Sequence, residues 1–297
     1  MKKIFKIIGV IILLIIVAIT IVIITYQPKK YSDFDVFTNL QNQVLVLLQM
    51  YGARERAVSQ DFKNFSLHLS FPYSKIFGSS EVGIPLQSFQ NSKIAAATVT
   101  HFEVPARSSY YRDFTLHIRP QYGLKAPVFH IDFMKPMLGT PGLCIVDFFN
   151  VDKENISLEE FFGEELENIK KALSSVEKYQ RSEKEGRGKI TVYLDPYKSP
   201  FRYELKEPVT DDETIRKEYY QTVEEALRLL FPAYLKSLHK LELKESFAQR
   251  HEEKTKELMH LMYKNDVAIN LGKKIFKEHF KHYWLDGFWN VKMELQD

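Results

Sequence analysis

Residues 113–132, DFTLHIRPQYGLKAPVFHID, constrain the fold of this chain more than any other segment. Alternating β-branched and aromatic residues flank a short turn that contains Gly and Pro, and this pattern predicts two paired antiparallel strands. Because strand side chains alternate between faces, Asp113 and His117 share one face of the first strand. His130 and Asp132 share one face of the second strand, and the opposite face of each strand is apolar.

The hairpin is able to bring both aspartates to one side of a sheet. If the strands pair through a turn at residues 121–125, Asp113 and Asp132 lie in one pocket. Desolvation and a second acid raise the pKa of a carboxyl group in such a pocket, so that it holds a proton near neutral pH and delivers it to a substrate. Glu103, on the preceding strand, is a third candidate acid.

Two other interpretations of this face stay open. One face of an antiparallel sheet is commonly exposed to solvent, and these polar residues fit that arrangement as well. Two histidines and two acids are also able to bind Fe or Zn, although their spacing matches no specific metal motif. The alternation of the strands by itself does not separate these interpretations.

The composition narrows the class of protein. The chain has 297 residues, of which 45% are hydrophobic, and this is enough for one large domain with a substantial core. A net charge of +3 gives no argument for nucleic-acid binding but suits a weakly basic patch that docks an acidic partner. The single cysteine, Cys144, excludes an intramolecular disulfide and a multi-cysteine zinc site, and its apolar neighbours indicate a buried thiol.

Residues 7–25 form an apolar run without a charge, about as long as a helix must be to cross a bilayer. It lacks a small-x-small cleavage site and a lipobox cysteine, which predicts an uncleaved anchor rather than a signal peptide. We therefore expect an anchor over residues 1–30 and one domain over residues 31–297. Three lysines precede the run and two follow it, so the positive-inside rule only weakly favours a cytoplasmic N-terminus and leaves the side of the domain open.

The predicted elements are a helix, a run of strands and then helices. Sequential strands with short connections form antiparallel sheets, so the expected fold is α/β, a three-layer α/β/α sandwich around a central antiparallel sheet. Strand-like alternation covers residues 61–71, 93–104, 111–118, 126–134, 142–149 and 189–194. Helical spacing covers residues 31–50, 157–183, 214–235, 241–263 and 269–283, and Ser157 with Glu160 is typical of a capping box.

The same hairpin resembles the central signature of the ferredoxin-dependent bilin reductases. That family carries a stretch similar to PQYDLPIFGxD, and here Pro120-Gln121-Tyr122 precede Ala126-Pro127-Val128-Phe129 and then Asp132, with two more residues in the turn. Asp132 falls on an aspartate that is a proton donor in the family. Asp113 falls on a position that is His, Asn or Asp, and the aspartate resembles the phytochromobilin synthase branch. His101-Phe102-Glu103 resembles an HxE-like context on the preceding strand.

A second part of the resemblance lies near the C-terminus. The family carries an Asn–Asp pair after a helix rich in long polar side chains, and Asn265-Asp266 match that pair here. The family aspartate reaches the substrate, so the resemblance implies this role for Asp266 and a supporting one for Asn265. The next residue is often basic in the family, whereas this chain has Val267, which departs from the propionate-anchoring pattern. The resemblance covers roughly residues 90–150 and 245–290.

The resemblance implies an activity and a set of partners, and its α/β/α sandwich is the fold already expected. A linear tetrapyrrole such as biliverdin lies between the sheet and the C-terminal helices, and reduced ferredoxin supplies single electrons without a bound metal or flavin. The implied catalytic residues are Asp132, Asp113 and Asp266. The implied substrate-binding residues are Glu103, His117, His130 and Asn265.

Two alternative functions stay open. The first is a non-catalytic, membrane-anchored domain that binds a tetrapyrrole or has a structural role, and the second is a reductase of another linear tetrapyrrole, such as a chlorophyll catabolite. Family members are usually soluble, whereas this chain has the apolar run. If the domain faces outward, ferredoxin does not reach it, and binding or another electron donor is favoured. We expect a single-pass membrane monomer that binds no nucleic acid.

Overall fold

A computed structural model of the chain describes residues 17, 36–58, 66–68, 81–83, 85–105, 110–135, 141–181, 194–265, 269–270, 273 and 278–291. The expected anchor over residues 7–25 lies outside this part of the chain except for Val17, as do most of the strands expected over residues 61–71 and 189–194. None of the helices formed by the described residues is both long enough and apolar enough to cross a membrane.

Seven strands form one sheet within the described residues, and each strand is antiparallel to its neighbours. Their order is β1-β4-β5-β6-β7-β8-β9, and β2 and β3 form a separate pair. The antiparallel sheet expected from the sequence is therefore confirmed. The strands are β1 (Arg54–Glu55), β2 (Ser66–His68), β3 (Glu81–Gly83), β4 (Leu86–Gln90), β5 (Ile94–Pro105), β6 (Tyr110–Pro120), β7 (Val128–Lys135), β8 (Leu143–Phe149) and β9 (Tyr203–Lys206).

The helices follow the expected order, with two corrections. The helix expected over residues 157–183 begins at Leu158 and is capped by Ser157, whose Oγ accepts a hydrogen bond from the Glu160 N–H, but it breaks at Gly163, where φ is +48°. The helix expected over residues 269–283 gives way to a π-helix at Tyr283–Trp289. The α-helices are α1 (Val36–Met50), α2 (Leu158–Phe162), α3 (Leu166–Val176), α4 (Glu213–Lys240), α5 (Glu245–Asn265) and α6 (Glu278–His282).

The two faces of the sheet are covered by different elements. The apolar face carries buried aromatic rings of β6, β7 and β8, and these pack in one core with the buried residues of α1 to α4. Cys144 belongs to this core and is fully buried, as its apolar neighbours indicated. The opposite face packs against α5, α6 and the C-terminal segment, by which we mean residues 283–291. These two helical layers enclose the sheet in a three-layer α/β/α arrangement.

Phe129 should be one of the main contributors to the stability of the apolar face. It is fully buried, and its ring stacks on Phe148 at 4.9 Å and on Tyr234 at 5.0 Å between centroids. Phe129→Ala removes these contacts and leaves a cavity, so we expect it to lower the free energy of unfolding by about 3–5 kcal/mol. Urea unfolding followed by tryptophan fluorescence measures the loss.

Val209→Ala is the matched control, because the Val209 side chain is 82% exposed. We expect that variant to stay within about 0.5 kcal/mol of the unsubstituted protein. Equal effects of the two substitutions would contradict the packing described for Phe129.

Candidate functional site

The hairpin of β6 and β7 brings the predicted acids and histidines to one face of the sheet. Thr115 lies opposite Asp132 in the ladder, and His117 lies opposite His130. Asp113 lies two residues before Thr115 on the same face, so it is a diagonal neighbour of Asp132. Diagonal neighbours in an antiparallel pair are ordinarily about 7–8 Å apart. We call this side of the sheet the polar face.

The polar face is covered at its centre. Asp113 is 7% exposed and His117 is fully buried, whereas Asp132 is partly buried. The interpretation of this face as simply open to solvent is therefore wrong at Asp113 and His117. The Thr115 hydroxyl donates a hydrogen bond to Asp113 Oδ1 at 2.9 Å. Burial raises the pKa of the Tyr283 hydroxyl, and the charge of Asp113 raises it further, so this acid acts on the C-terminal segment.

His117 and His130 form a pair of neutral imidazoles. Their ring centroids are 5.8 Å apart in an edge-on arrangement. Burial is the main cause that lowers both pKa values, to about 3 for His130 and well below the ordinary 6.5 for His117. Among the described residues, both ring nitrogens of His117 lack a hydrogen-bond partner, and so does Nδ1 of His130. A neutral imidazole donates one hydrogen bond and accepts another, so the pair is able to bind polar groups of a ligand.

Aromatic rings surround the histidine pair. Trp289 packs edge-on to His117 at 4.1 Å between ring centroids, and Phe288 lies 5.0 Å from the same ring. Phe149, on β8, lies 5.6 Å from His130. The indole Nε1 of Trp289 also has no hydrogen-bond partner within the described part of the chain. Flat apolar surfaces and unpaired polar atoms therefore meet at the centre of the polar face, an environment that suits a large flat molecule with polar groups.

Asp147 is a buried acid of this face that sequence reasoning missed. It lies opposite His130 in the β7–β8 ladder and is fully buried. Its Oδ1 accepts hydrogen bonds from the Ser199 N–H at 3.1 Å and the Ser199 hydroxyl at 2.9 Å, and its Oδ2 accepts one from Arg202 Nη1 at 2.9 Å. Burial raises the pKa of Asp147, while the Arg202 guanidinium opposes that shift. The acid thus ties the loop before β9 to the sheet beside His130.

Arg119 is a second residue that sequence reasoning missed. It lies on β6 two residues after His117 and is 3% exposed. Its Nε donates to the Trp289 carbonyl at 2.8 Å, and its Nη2 donates to the Asn290 carbonyl at 2.9 Å. The signal for both missed residues was in the sequence, because each is a charged side chain in strand register with the histidines within an otherwise apolar run.

Three of the predicted site residues are not brought to this cluster by the described structure. Asp266 lies outside the described residues. Glu103 pairs with Arg112 in the β5–β6 ladder, but its side chain lies outside the described part of the chain. Asn265 ends α5 as an exposed residue, and its Nδ2 donates to the Leu261 carbonyl of its own helix at 2.9 Å. The roles of all three stay predictions.

The residues that the structure describes contain no group of three or more His, Cys, Asp or Glu side chains arranged to hold a metal ion. The metal interpretation of the two histidines and two aspartates therefore has no geometric support among them. The unpaired ring nitrogens at the centre of the face are available for hydrogen bonds.

Comparison with known proteins gives one informative result. No family model matches the sequence, and no curated protein is significantly similar to it. Among solved structures, the chain is similar to the crystal structure of selenomethionine phytochromobilin synthase from tomato in complex with biliverdin. The TM-score is 0.62 at 13% identity, over 87% of this chain and 86% of that chain. At this identity the likeness shows the fold, which is the fold that the resemblance to the bilin reductases implied.

Acid should lower the free energy of unfolding through His117 and His130, because the pKa values of both are lowered in the folded protein. His130 stays neutral in the folded state down to about pH 3, whereas its ordinary pKa is 6.5. Between these values the unfolded chain binds more protons. The free energy of unfolding therefore falls as the pH drops below 6.5, by up to roughly 1.4 kcal/mol per pH unit for each such histidine.

His130→Gln should make the pH dependence of stability shallower, as measured by urea unfolding from about pH 7 to about pH 5. His239→Gln, at an exposed position, should keep the original slope. If the free energy of unfolding of His130→Gln had the original pH dependence, the lowered pKa of His130 would be contradicted.

The Asp147–Arg202 pair should behave as a coupled unit. Asp147→Asn removes the buried carboxylate from the Arg202 guanidinium, which then keeps its bonds to Glu204, and we expect a loss of about 1.5–3 kcal/mol in the free energy of unfolding. The double variant with Arg202→Gln should lose less than the sum of the single losses, because both single variants remove the same Asp147–Arg202 bond.

Lys178→Gln breaks an ion pair with Glu218 in which both side chains are more than half exposed, and it should leave the free energy of unfolding nearly unchanged because solvent screens the pair. Strict additivity of the Asp147 and Arg202 losses would show that the two side chains do not interact.

Proposed function

We propose that this chain is a bilin reductase-like oxidoreductase that binds a linear tetrapyrrole of the biliverdin type on its polar face, beneath α5 and the C-terminal segment. The observation that carries the proposal is the fully buried His117 opposite the partly buried His130, both with a lowered pKa, next to two aspartates on the same sheet face. The likeness of the fold to phytochromobilin synthase, whose crystal structure holds biliverdin, supports it.

The chemistry of the ligand matches the chemistry of the polar face. A linear tetrapyrrole is a flat conjugated chain of four rings with polar nitrogen and oxygen atoms along its edges and two carboxylates on short arms. In the proposal, the rings pack against Trp289, Phe288 and Phe149, which already contact the histidine rings in edge-on or tilted arrangements. His117 and His130 then supply the hydrogen bonds to the polar edge that their unpaired nitrogens do not make within the protein.

Reduction of one carbon–carbon double bond of the ligand consumes two electrons and two protons. Reduced ferredoxin delivers the electrons one at a time, and the aspartates deliver the protons. Asp132 is the proposed proton donor, and Asp113, held by the Thr115 hydroxyl, relays or tunes the transfer. Asp266 adds a third acid in this scheme. The protein supplies protons and a shaped site, and ferredoxin is an external partner whose acidic surface suits the net charge of +3.

Residues 7–25 hold this domain at a membrane in the proposal, as a single-pass anchor. Reduction by ferredoxin then requires the domain to lie on the side of the membrane where ferredoxin is present. A domain on the other side would favour the non-catalytic tetrapyrrole-binding function or a different electron donor.

Absorption spectroscopy of the full chain in mild detergent tests the proposal. Biliverdin should change its absorption spectrum on mixing, and reduced ferredoxin should then convert the bound pigment to a product with fewer conjugated double bonds. The absence of any spectral change on mixing would overturn the proposal. A spectral change without conversion would favour the non-catalytic binding domain.

Asp132→Asn should separate binding from chemistry. The amide keeps the size of the side chain but does not donate a proton from a carboxyl group, so conversion should slow about 10²–10⁴-fold while the binding spectrum stays the same. Asp211→Asn, at an exposed position far from the hairpin in sequence, should convert at the original rate. An original rate in the Asp132 variant would remove this residue from the mechanism.

A further inference from the structure

Arg119 carries a positive charge beneath the C-terminal segment and makes no ion pair with an acid among the described residues. Its side chain is 3% exposed, and its hydrogen bonds go to the backbone carbonyls of Trp289 and Asn290. Its Nη1 has no hydrogen-bond partner within the described part of the chain. Buried charges in proteins are normally paired with an opposite charge, because an unpaired one loses its hydration without compensation. The missing counter-charge indicates that this site is built for an anion.

The described groups around Arg119 include further polar side chains, and the acid among them, Glu252, is paired with a lysine. The Tyr122 ring lies 4.7 Å from the guanidinium carbon, and the Tyr122 hydroxyl is buried without a partner among the described residues. His251, edge-on to Tyr122 at 6.0 Å between centroids, has its pKa lowered to about 4 by burial and by the charge of Arg119. The charge of Glu252 opposes the lowering of the Arg119 pKa, but its carboxylate forms an ion pair with Lys256 at 2.6 Å.

Arg56 also binds the C-terminal segment, and its hydrogen bonds provide a comparison for those of Arg119. It donates to the carbonyls of Asp286 and Gly287 at 2.7 Å each, to Asn290 Oδ1 at 3.1 Å and to Ser88 Oγ at 3.1 Å. Every nitrogen of this guanidinium has a partner, and the side chain is only partly buried. Arg119 holds the same segment but is more deeply buried and keeps one nitrogen unused. The structural role alone therefore accounts for Arg56 and not for Arg119.

We propose that Arg119 and the Tyr122 hydroxyl bind a carboxylate of the ligand. The inference rests on the proposed function for the identity of that ligand, a tetrapyrrole with two propionate arms. Arg119 and His117 lie two residues apart on one strand face, about 7 Å along β6. A propionate arm spans this distance when the ring nitrogens face the histidine pair. The carbonyls of Trp289 and Asn290 hold the guanidinium in place, and Nη1 is left for the carboxylate.

Titration with biliverdin and with its dimethyl ester tests the inference on the full chain in detergent. The ester has the same conjugated chain but no negative charge on its arms. We expect the native protein to bind the acid at least 10-fold more tightly than the ester. Arg119→Gln should weaken binding of the acid by about 10- to 100-fold and leave binding of the ester unchanged. Arg119→Lys, which keeps the charge, should recover part of the loss.

Arg56→Gln is the matched control, because it removes an arginine that holds the same segment without an unused nitrogen. It should change the affinities for acid and ester by the same factor. Circular dichroism checks that each variant is folded. Tyr122→Phe removes only one hydroxyl and should reduce the preference for the acid several-fold, so it decides the question if Arg119→Gln does not fold.

The possible results separate this inference from the proposed function. If the native protein binds acid and ester equally and neither Arg119→Gln nor Tyr122→Phe alters that ratio, the carboxylate site is overturned while tetrapyrrole binding stands. If neither compound binds the native protein, the proposed function fails and the carboxylate site falls with it. An equal loss of acid and ester affinity in Arg119→Gln would assign Arg119 to the structural role of Arg56.

Discussion

The fold depends on covering the polar face of the sheet with α5, α6 and the C-terminal segment. Burying such groups is unfavourable unless each one finds a hydrogen-bond partner. The C-terminal segment meets this requirement for some of these groups with its backbone. The Thr98 hydroxyl donates to the Phe288 carbonyl at 2.7 Å, and Asn290 Nδ2 donates to the Ala95 carbonyl at 2.9 Å. Directional bonds of this kind fix the segment in one register on β4, β5 and β6, which purely apolar contacts do not.

The two faces of the sheet have different roles because their side chains have different needs. The apolar face is filled by stacked aromatic rings and needs no polar partners, so it supplies rigidity. Within the part of the chain that the structure describes, the polar face leaves atoms without hydrogen-bond partners at His117, His130, Arg119, Tyr122 and His251. An unpaired buried polar group costs about 1–3 kcal/mol. Several such groups in one place lower the stability of the folded protein. A ligand that forms the missing hydrogen bonds stabilises the folded state again.

The sequence was a good guide to the hairpin and a poor one to what covers it. Alternation in residues 113–132 predicted both strands, and their register follows because a shift by one residue would turn the apolar set away from the core. The short strands β1, β4 and β9 were not predicted, since a strand of two to five residues carries too little alternation to detect. The burial of His117 depends on Trp289, more than 170 residues away, and no local pattern reports such a contact. Arg119 and Asp147 were detectable from the sequence, because each is a charged side chain at a strand position that shares the face of the histidines.

The contact between Arg56 and Asn290 joins residues 234 positions apart. Domains form during synthesis in the order in which their parts emerge, and contacts between distant residues form late. The apolar core of α1 to α4 and β4 to β9 is complete in sequence by residue 240, well before residues 283–291 leave the ribosome. A nascent chain at that point holds a finished scaffold with its polar face open. Chaperones that bind the nascent chain would therefore meet it with the polar face exposed and the apolar core already folded.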